Sequence, residues 1–480
     1  MFTASRIKIL VITCAALFMA MLDNLVLGVA LPSIQESFHA SLSDLEWFTN
    51  AYTLSFAVLL IPFSMLGDRF GRKKIFLGGV ILFTLGSALS GMSGHSLQLI
   101  FSRALQGVGG AAIVPLSLTL VHTAFPEKMR AAAMGIWSGI SGLGLSVGPL
   151  VGGLILEGAP WQLIFWVNVP VGILAFLLGL NWLRESKGEA KPMNPLSVLL
   201  LAAGMFGIIF GLQRSNTDGW TSLNVVGSIL GGFTILLLFY LWERTRKHQL
   251  IQFHFFKGRR YAVLIIAGFL MNAGIFGSIF LLTLFLQLAQ GYSALGAGIR
   301  EMAWTGCTMI AAPLAGLFIT KLGTKTVLSI GLLFQAIGLI GFAVLITSLD
   351  PNFSFGYIAT FMVLAGAGMG LSFTPLAHGI LSSVPERSSG EASGLSNATR
   401  ELGGVFGIAI CTLIFESGAK ITSPQAFSDH IVPSLLAGAG FVLLALGLVM
   451  VLFREVSGKK TMQEIPEVVR ERSAESYGTE

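Results

Sequence analysis

The chain has 480 residues, 54% of them hydrophobic and only 11% charged, with a mean hydropathy of +0.79. Soluble domains carry about 25% charge, so a soluble enzyme is excluded and a polytopic membrane protein is indicated. The net charge of +6 points to membrane topology and not to nucleic-acid binding, because the bases fall between apolar runs.

Each crossing of a bilayer takes about 20 mainly apolar residues. In chain order the runs predict fourteen helices, at 8–31, 47–66, 75–95, 97–121, 131–156, 162–183, 195–213, 223–242, 261–289, 296–319, 326–348, 355–383, 392–416 and 431–453. The first run outlasts the roughly 7–15 residues of a signal-peptide core and reads as a retained helix. With the amino terminus inside, internal segments hold 25 of the 30 lysines and arginines. Cytoplasmic loops are enriched in these residues, so both termini are expected in the cytoplasm. Cys14, Cys307 and Cys411 lie in apolar runs without pairing or metal-ligand spacing and read as core filler.

The first run contains one acid, Asp23, in "MLDNLVLGVALP" (21–32). A charge at the centre of a membrane helix costs roughly 2.5–3.5 kcal/mol, so Asp23 marks a functional position. After the second run comes "SMLGDRFGRKK" (64–74), and after the tenth its echo "GLFITKLGTK" (316–325). Both place a small residue four before an Asp/Thr and Arg/Lys pair, followed by Gly. Internal symmetry of this kind marks transporter folds built from two like halves. It divides the chain into an N-terminal six-helix half (1–190), two linker helices with a basic cytoplasmic segment (191–260), a C-terminal six-helix half (261–453) and a polar cytoplasmic tail (454–480). The linker helices read as a spacer. "ERTRKHQLIQFHFFKGRR" (243–260) reads as an interfacial segment against anionic lipid.

The fourth run opens "RALQGVGGAAIVP" (103–115). At 1.5 Å per residue, Arg103 and Asp23 both lie about 10–15 Å below the outer helix ends. A buried acid and base at matched depth are expected to pair, because either alone is costly. The fifth run carries "GLGLSVGPLVGG" (142–153), where small residues every four positions allow close helix approach and Pro149 invites a kink. In the thirteenth, "EASGLSNATRELGG" (391–404) sets Arg400 and Glu401 about nine residues inside the helix, beyond bilayer-surface reach. His122 and His378 read as capping or snorkelling groups near helix ends, and Glu301, beside Arg300, as interfacial.

On "GDRFGRKK", "RALQGVGGAAIVP", "GLGLSVGPLVGG", "WFTNAYTL" (47–54) and "EASGLSNATRELGG", the chain resembles the major facilitator superfamily, in its fourteen-span drug:proton antiporter branch. Ser64 departs from the family's usual Gly, and Leu25 and Gly28 from its Thr and Asn. The resemblance implies an all-α polytopic membrane protein of major-facilitator fold, with two six-helix halves plus two linker helices, acting as a monomer in a bacterial plasma membrane and not as an enzyme. It makes Asp68, Arg72 and Gly71 a conformational latch, and Gly144, Gly148, Pro149, Gly152 and Gly153 the packing surface of the antiporter signature. Proton coupling falls to Asp23 with Arg103, and to a second site at Glu401 beside Arg400. Tyr52, Gln106, Trp137, Phe276 and Trp304 are candidates for the substrate cavity, where aromatic faces suit lipophilic cations.

The implied activity is export of lipophilic, cationic drugs by alternating access, with proton motive force in place of any cofactor or metal. The implied partners are a small-molecule substrate and protons. Rocking of the halves is expected to part Asp23 from Arg103 and so release the acid to titrate. Two alternatives stay open: export of an endogenous metabolite, peptide or siderophore, and proton-coupled import. No phosphate-binding Gly-x-x-x-x-Gly-Lys-Ser/Thr element occurs, which argues against an ATP-driven pump.

Overall fold

Backbone buried in hydrocarbon has no water to bond with, so apolar runs of this length close their hydrogen bonds within helices. The computed structural model describes residues 3–40, 42–188, 194–246, 249–348, 353–416 and 424–453, and among them no strand occurs. The expected tail, 454–480, lies outside the described residues. A first set of helices, α1 (Ala4–Phe38), α2 (Leu42–Phe70), α3 (Arg72–Gly91), α4 (Ser96–Ala124), α5 (Glu127–Leu156), α6 (Leu163–Trp166) and α7 (Asn168–Trp182), packs mostly on itself. The antiparallel pair α8 (Pro195–Asp218) and α9 (Leu223–Arg244) follows. A second set comprises α10 (Arg259–Leu284), α11 (Ala294–Ser348), α12 (Phe355–Leu381), α13 (Ser389–Glu416) and α14 (Pro424–Leu452).

Twelve of the described helices are long and apolar enough to cross a membrane, with the 54-residue stretch Leu295–Ser348 counted once and α5 not among them. The helix-bonding pattern runs unbroken through the tenth and eleventh runs. A straight helix of that length would reach about 80 Å, against a hydrocarbon core of about 30 Å. It turns instead at Gly323, whose φ of 82° and ψ of 163° are not helical. Gly71, the matching glycine of the first copy of the motif, has φ 119° and ψ 125° and separates α2 from α3. Both copies therefore turn on a backbone conformation that side chains disfavour.

The two sets meet along two seams, α5 against α11 and α2 against α13, with α4 adding a bond from Ser393 Oγ to the Pro115 carbonyl at 2.8 Å. The linker pair packs against both sets. α8 lies over the α2–α13 seam, with Phe210 against Trp47 (centroids 6.3 Å apart) and Ile208 and Leu212 packed among Ala409, Val405 and Phe406. α9 turns Leu230 and Leu237 outward, as a lipid-facing helix should. The basic segment is corrected in part. Leu250 and Ile251 are buried, because two carboxylates draw that stretch inward, while Arg244, Arg246 and Lys257 remain exposed.

Candidate functional site

The acid in the first helix is sealed. Asp23 is fully buried, and Arg103 Nη1 donates to its Oδ2 at 2.5 Å. Its other oxygen accepts from Gln106 Nε2 (2.7 Å) and Asn168 Nδ2 (3.0 Å). Arg103 is held in turn by the Phe48 carbonyl (3.2 Å), by Gln106 Oε1 (2.7 Å) and by the face of Tyr52, 4.6 Å below its guanidinium carbon. Ser87 Oγ completes the network, accepting from both amides. A charge out of water is tolerable only when fully paired and bonded in this way.

Five helices contribute to this cluster, and all belong to the first set. Rigid rocking of one set against the other therefore leaves Asp23 and Arg103 together, contrary to the expected separation. Only rearrangement within the first set, or a proton on the carboxyl, can part them.

The latch residues cross between the sets. Asp68 Oδ1 accepts from Arg72 Nε at 2.7 Å, across the turn at Gly71, and Oδ2 accepts the Glu391 N–H at the start of α13 (3.2 Å). An acid at a helix N-terminus meets unpaired amides and a favourable dipole. Arg72 Nη2 donates to Ser389 Oγ (3.1 Å) and the Glu386 carbonyl (3.4 Å), so both members of the pair grip the same turn. Gly71 is favoured here by its φ of 119°, with the Glu185 carboxylate packed against its open side. That carboxylate caps α3 through the Lys73 and Lys74 amides. Ser64 fills the space against Gly394 deeper in the seam. A basic recess of about 710 Å³ beside the latch is lined by Arg6, Arg72, Arg184, Lys187, Glu386 and Arg387, among others.

The fifth helix is packed on two faces. Added Cβ atoms at Gly144 and Gly152 would meet α1 at Met21 Cβ (2.7 Å) and the Val26 carbonyl (3.1 Å). Gly148 is buried, and of Pro149 only the helical backbone is described. Gly153 faces the other way, toward Leu295 of α11, as Gly142 faces Thr308.

The aromatic candidates disperse. Tyr52 and Gln106 belong to the Asp23 cluster. Trp137 is buried and donates to Ser117 Oγ (2.9 Å), Phe276 packs beside Gly404, and Trp304 is buried with Nε1 unpartnered. None of the five lines the recess.

Arg400 and Glu401 are half-buried but form no ion pair; the Arg400 guanidinium carbon lies 4.3 Å over the Phe373 ring. Glu301 accepts a hydrogen bond from Thr283. His122 is buried rather than snorkelling, with Nδ1 unpartnered. Asn168, Ser87 and Glu391 escaped the sequence reading. For Asn168 and Ser87 the one available signal was a small polar group within an apolar run.

Sealed charge inside apolar helices, with two helix sets that meet at a charged latch, defines a membrane transporter scaffold. The chain belongs to the Major Facilitator Superfamily, whose sequence model matches residues 13–408. It is 31% identical over 426 residues to the tetracenomycin C resistance and export protein of Streptomyces glaucescens, covering 88% of this chain and 78% of that one. It is 32% identical over 408 residues to the multidrug resistance protein Stp of Mycobacterium tuberculosis, covering 85% and 75%. The proton:xylose symporter XylE superposes with a TM-score of 0.69 over 96% of this chain and 98% of its own; at 15% identity, that likeness shows the fold alone.

Proposed function

We propose that the protein is a proton-coupled antiporter that expels lipophilic, cationic drugs across the bacterial plasma membrane. The observation that carries the reading is Asp23, buried in an apolar bundle and held by one base and two amides. Relatives named for antibiotic resistance and export support export of drugs. We infer fourteen spans: the twelve, plus one for the division of α11 at Gly323 and one for α5. Both termini then face the cytoplasm, as does the latch, and the residue ranges 1–190, 191–260 and 261–453 mark two halves and the linker.

A proton on Asp23 removes the charge-assisted bond to Arg103, which is the strongest single contact in the cluster. The change stays within the first half, and α1 carries it. Because α1 packs on α5 at Gly144 and Gly152, and α5 on α11, the proton load biases the seam between halves and hence the side to which the cavity opens. Glu401 is a second acid on the facing half, suited to attract a cation, and Arg400 its modulator. Exposed Arg244, Arg246 and Lys257 suit anionic headgroups.

The test is transport in everted vesicles with cationic, zwitterionic and neutral compounds, comparing the parent with Asp23→Asn. Gradient-driven uptake of cations should vanish in the variant, and in the parent when the gradient is collapsed with ATP kept high. Undiminished uphill transport by Asp23→Asn defeats the proposal.

A further inference from the structure

We infer that the two linker helices are part of the cytoplasmic gate, clipped to it by a three-residue strap, Leu250–Gln252, held between the buried carboxylates of Glu243 and Glu391. The inference rests on the alternating-access reading above. Glu243, at the end of α9, is 1% exposed and accepts from Ser197 Oγ at 2.5 Å and from the backbone N–H of Leu250. Two residues on, the backbone N–H of Gln252 donates to Glu391 Oε1 at 2.5 Å. Leu250 and Ile251, between the two carboxylates, are 4% and 5% exposed.

Buried amides in irregular backbone need acceptors, and bonds to an ionised acceptor are about twice as strong as neutral ones. A first-turn acid on an exposed helix is explained by the dipole alone. Glu391 is buried, and its side chain reaches out of its own helix to the strap.

The same residue stands in the latch, because its N–H is the group that Asp68 accepts. One continuous path therefore runs from α8 through Ser197, Glu243, the strap and Glu391 to the first turn of α13, and across the seam to Asp68 and Arg72. α8 meanwhile lies over the α2–α13 seam, and α8 and α9 touch backbone to backbone where Gly207 meets Gly232. Glu391 is thus a positioning residue. The strap holds the α13 amide where Asp68 can reach it, and favours the state closed on the latch side.

The test is a distance distribution between spin labels at Glu127 and Arg259, exposed at the latch-side ends of α5 and α10, in full-length protein in lipid. Asp68→Asn is the control and should raise the open population. Glu391→Ala and Glu243→Ala should each raise the open-to-closed ratio about tenfold, the scale of one lost charge-assisted bond. Their double variant should exceed the larger single change little, since both cut one strap.

If Glu243→Ala does not reach the membrane, Glu243→Gln, which keeps an acceptor oxygen, should shift the ratio less but in the same direction. A lower melting temperature with an unchanged distribution marks a merely structural role and overturns the inference. No shift at Glu243 alongside a shift at Asp68 overturns the strap and leaves the latch standing. No shift at Asp68 removes the latch reading and the strap with it.

Discussion

Asp23 and Arg103 show how little freedom a buried charge has. Asp23→Asn leaves the guanidinium without its counter-charge, and removing one partner of a buried pair typically costs about 3–5 kcal/mol. Thermal unfolding in detergent should register that loss, together with the loss of gradient-driven transport. Asp23→Leu with Arg103→Met removes both charges, and such replacements are often neutral for stability. The double variant should regain most of the melting temperature and none of the coupled transport, which separates structural from functional dependence on the pair. Asn168→Ala removes one donor to the carboxylate and should cost about 1.5–3 kcal/mol in the same assay. Depth along two helices was enough to bring Asp23 and Arg103 together on paper, because rise per residue is fixed. Asn168 and Ser87 were not legible, since whether a small polar side chain turns inward depends on helix rotation set by packing, and an isolated amide in an apolar run carries little pattern.

The fifth helix makes the same point for elements. Gly144 faces Met21 Cβ and the Phe18 carbonyl at 2.7 and 3.0 Å from an added Cβ, and Gly78 in α3 has nothing within 4 Å. A helix backbone cannot yield as a side chain can, so Gly144→Val should push α1 from α5 and cost about 1–3 kcal/mol. Gly78→Ala should gain about 0.5–1 kcal/mol, as alanine does over glycine in an unobstructed helix. Thermal unfolding of the two variants against the parent checks both signs. The four-residue glycine spacing was readable because it has the period of a helix face, though which neighbours it met was not. The linker helices show the opposite case. Their sequence is mostly apolar, so lipid-facing α9 and seam-covering α8 look alike, and the docking depends on partners far apart in the chain, such as Phe210 with Trp47. The glycine turn at Gly323 also lies inside an apolar run, where hydropathy is blind to backbone direction.

For the whole molecule, what matters is how the two helix sets move. The α5–α11 seam runs antiparallel, with Gly153 against Leu295 near one end and Gly142 against Thr308 near its middle, where the Cβ positions lie 3.6 and 3.7 Å apart. Both separations match the Cβ spacing of a disulfide, about 3.8 Å. If the sets rock about the middle of the seam, the central pair barely changes separation during the cycle and the end pair must part. In a background where Cys14, Cys307 and Cys411 are replaced by serine, the Gly153→Cys/Leu295→Cys bridge should therefore abolish transport under oxidation, and a reductant should restore it. The Gly142→Cys/Thr308→Cys bridge should leave most of the activity. Gradient-driven uptake into everted vesicles before oxidation, after it and after reduction measures both. Inhibition by the central bridge as complete as by the end bridge would mean that the seam slides or opens along its whole length, and that Asp23 acts through a shear of α1 on α5 instead of a tilt.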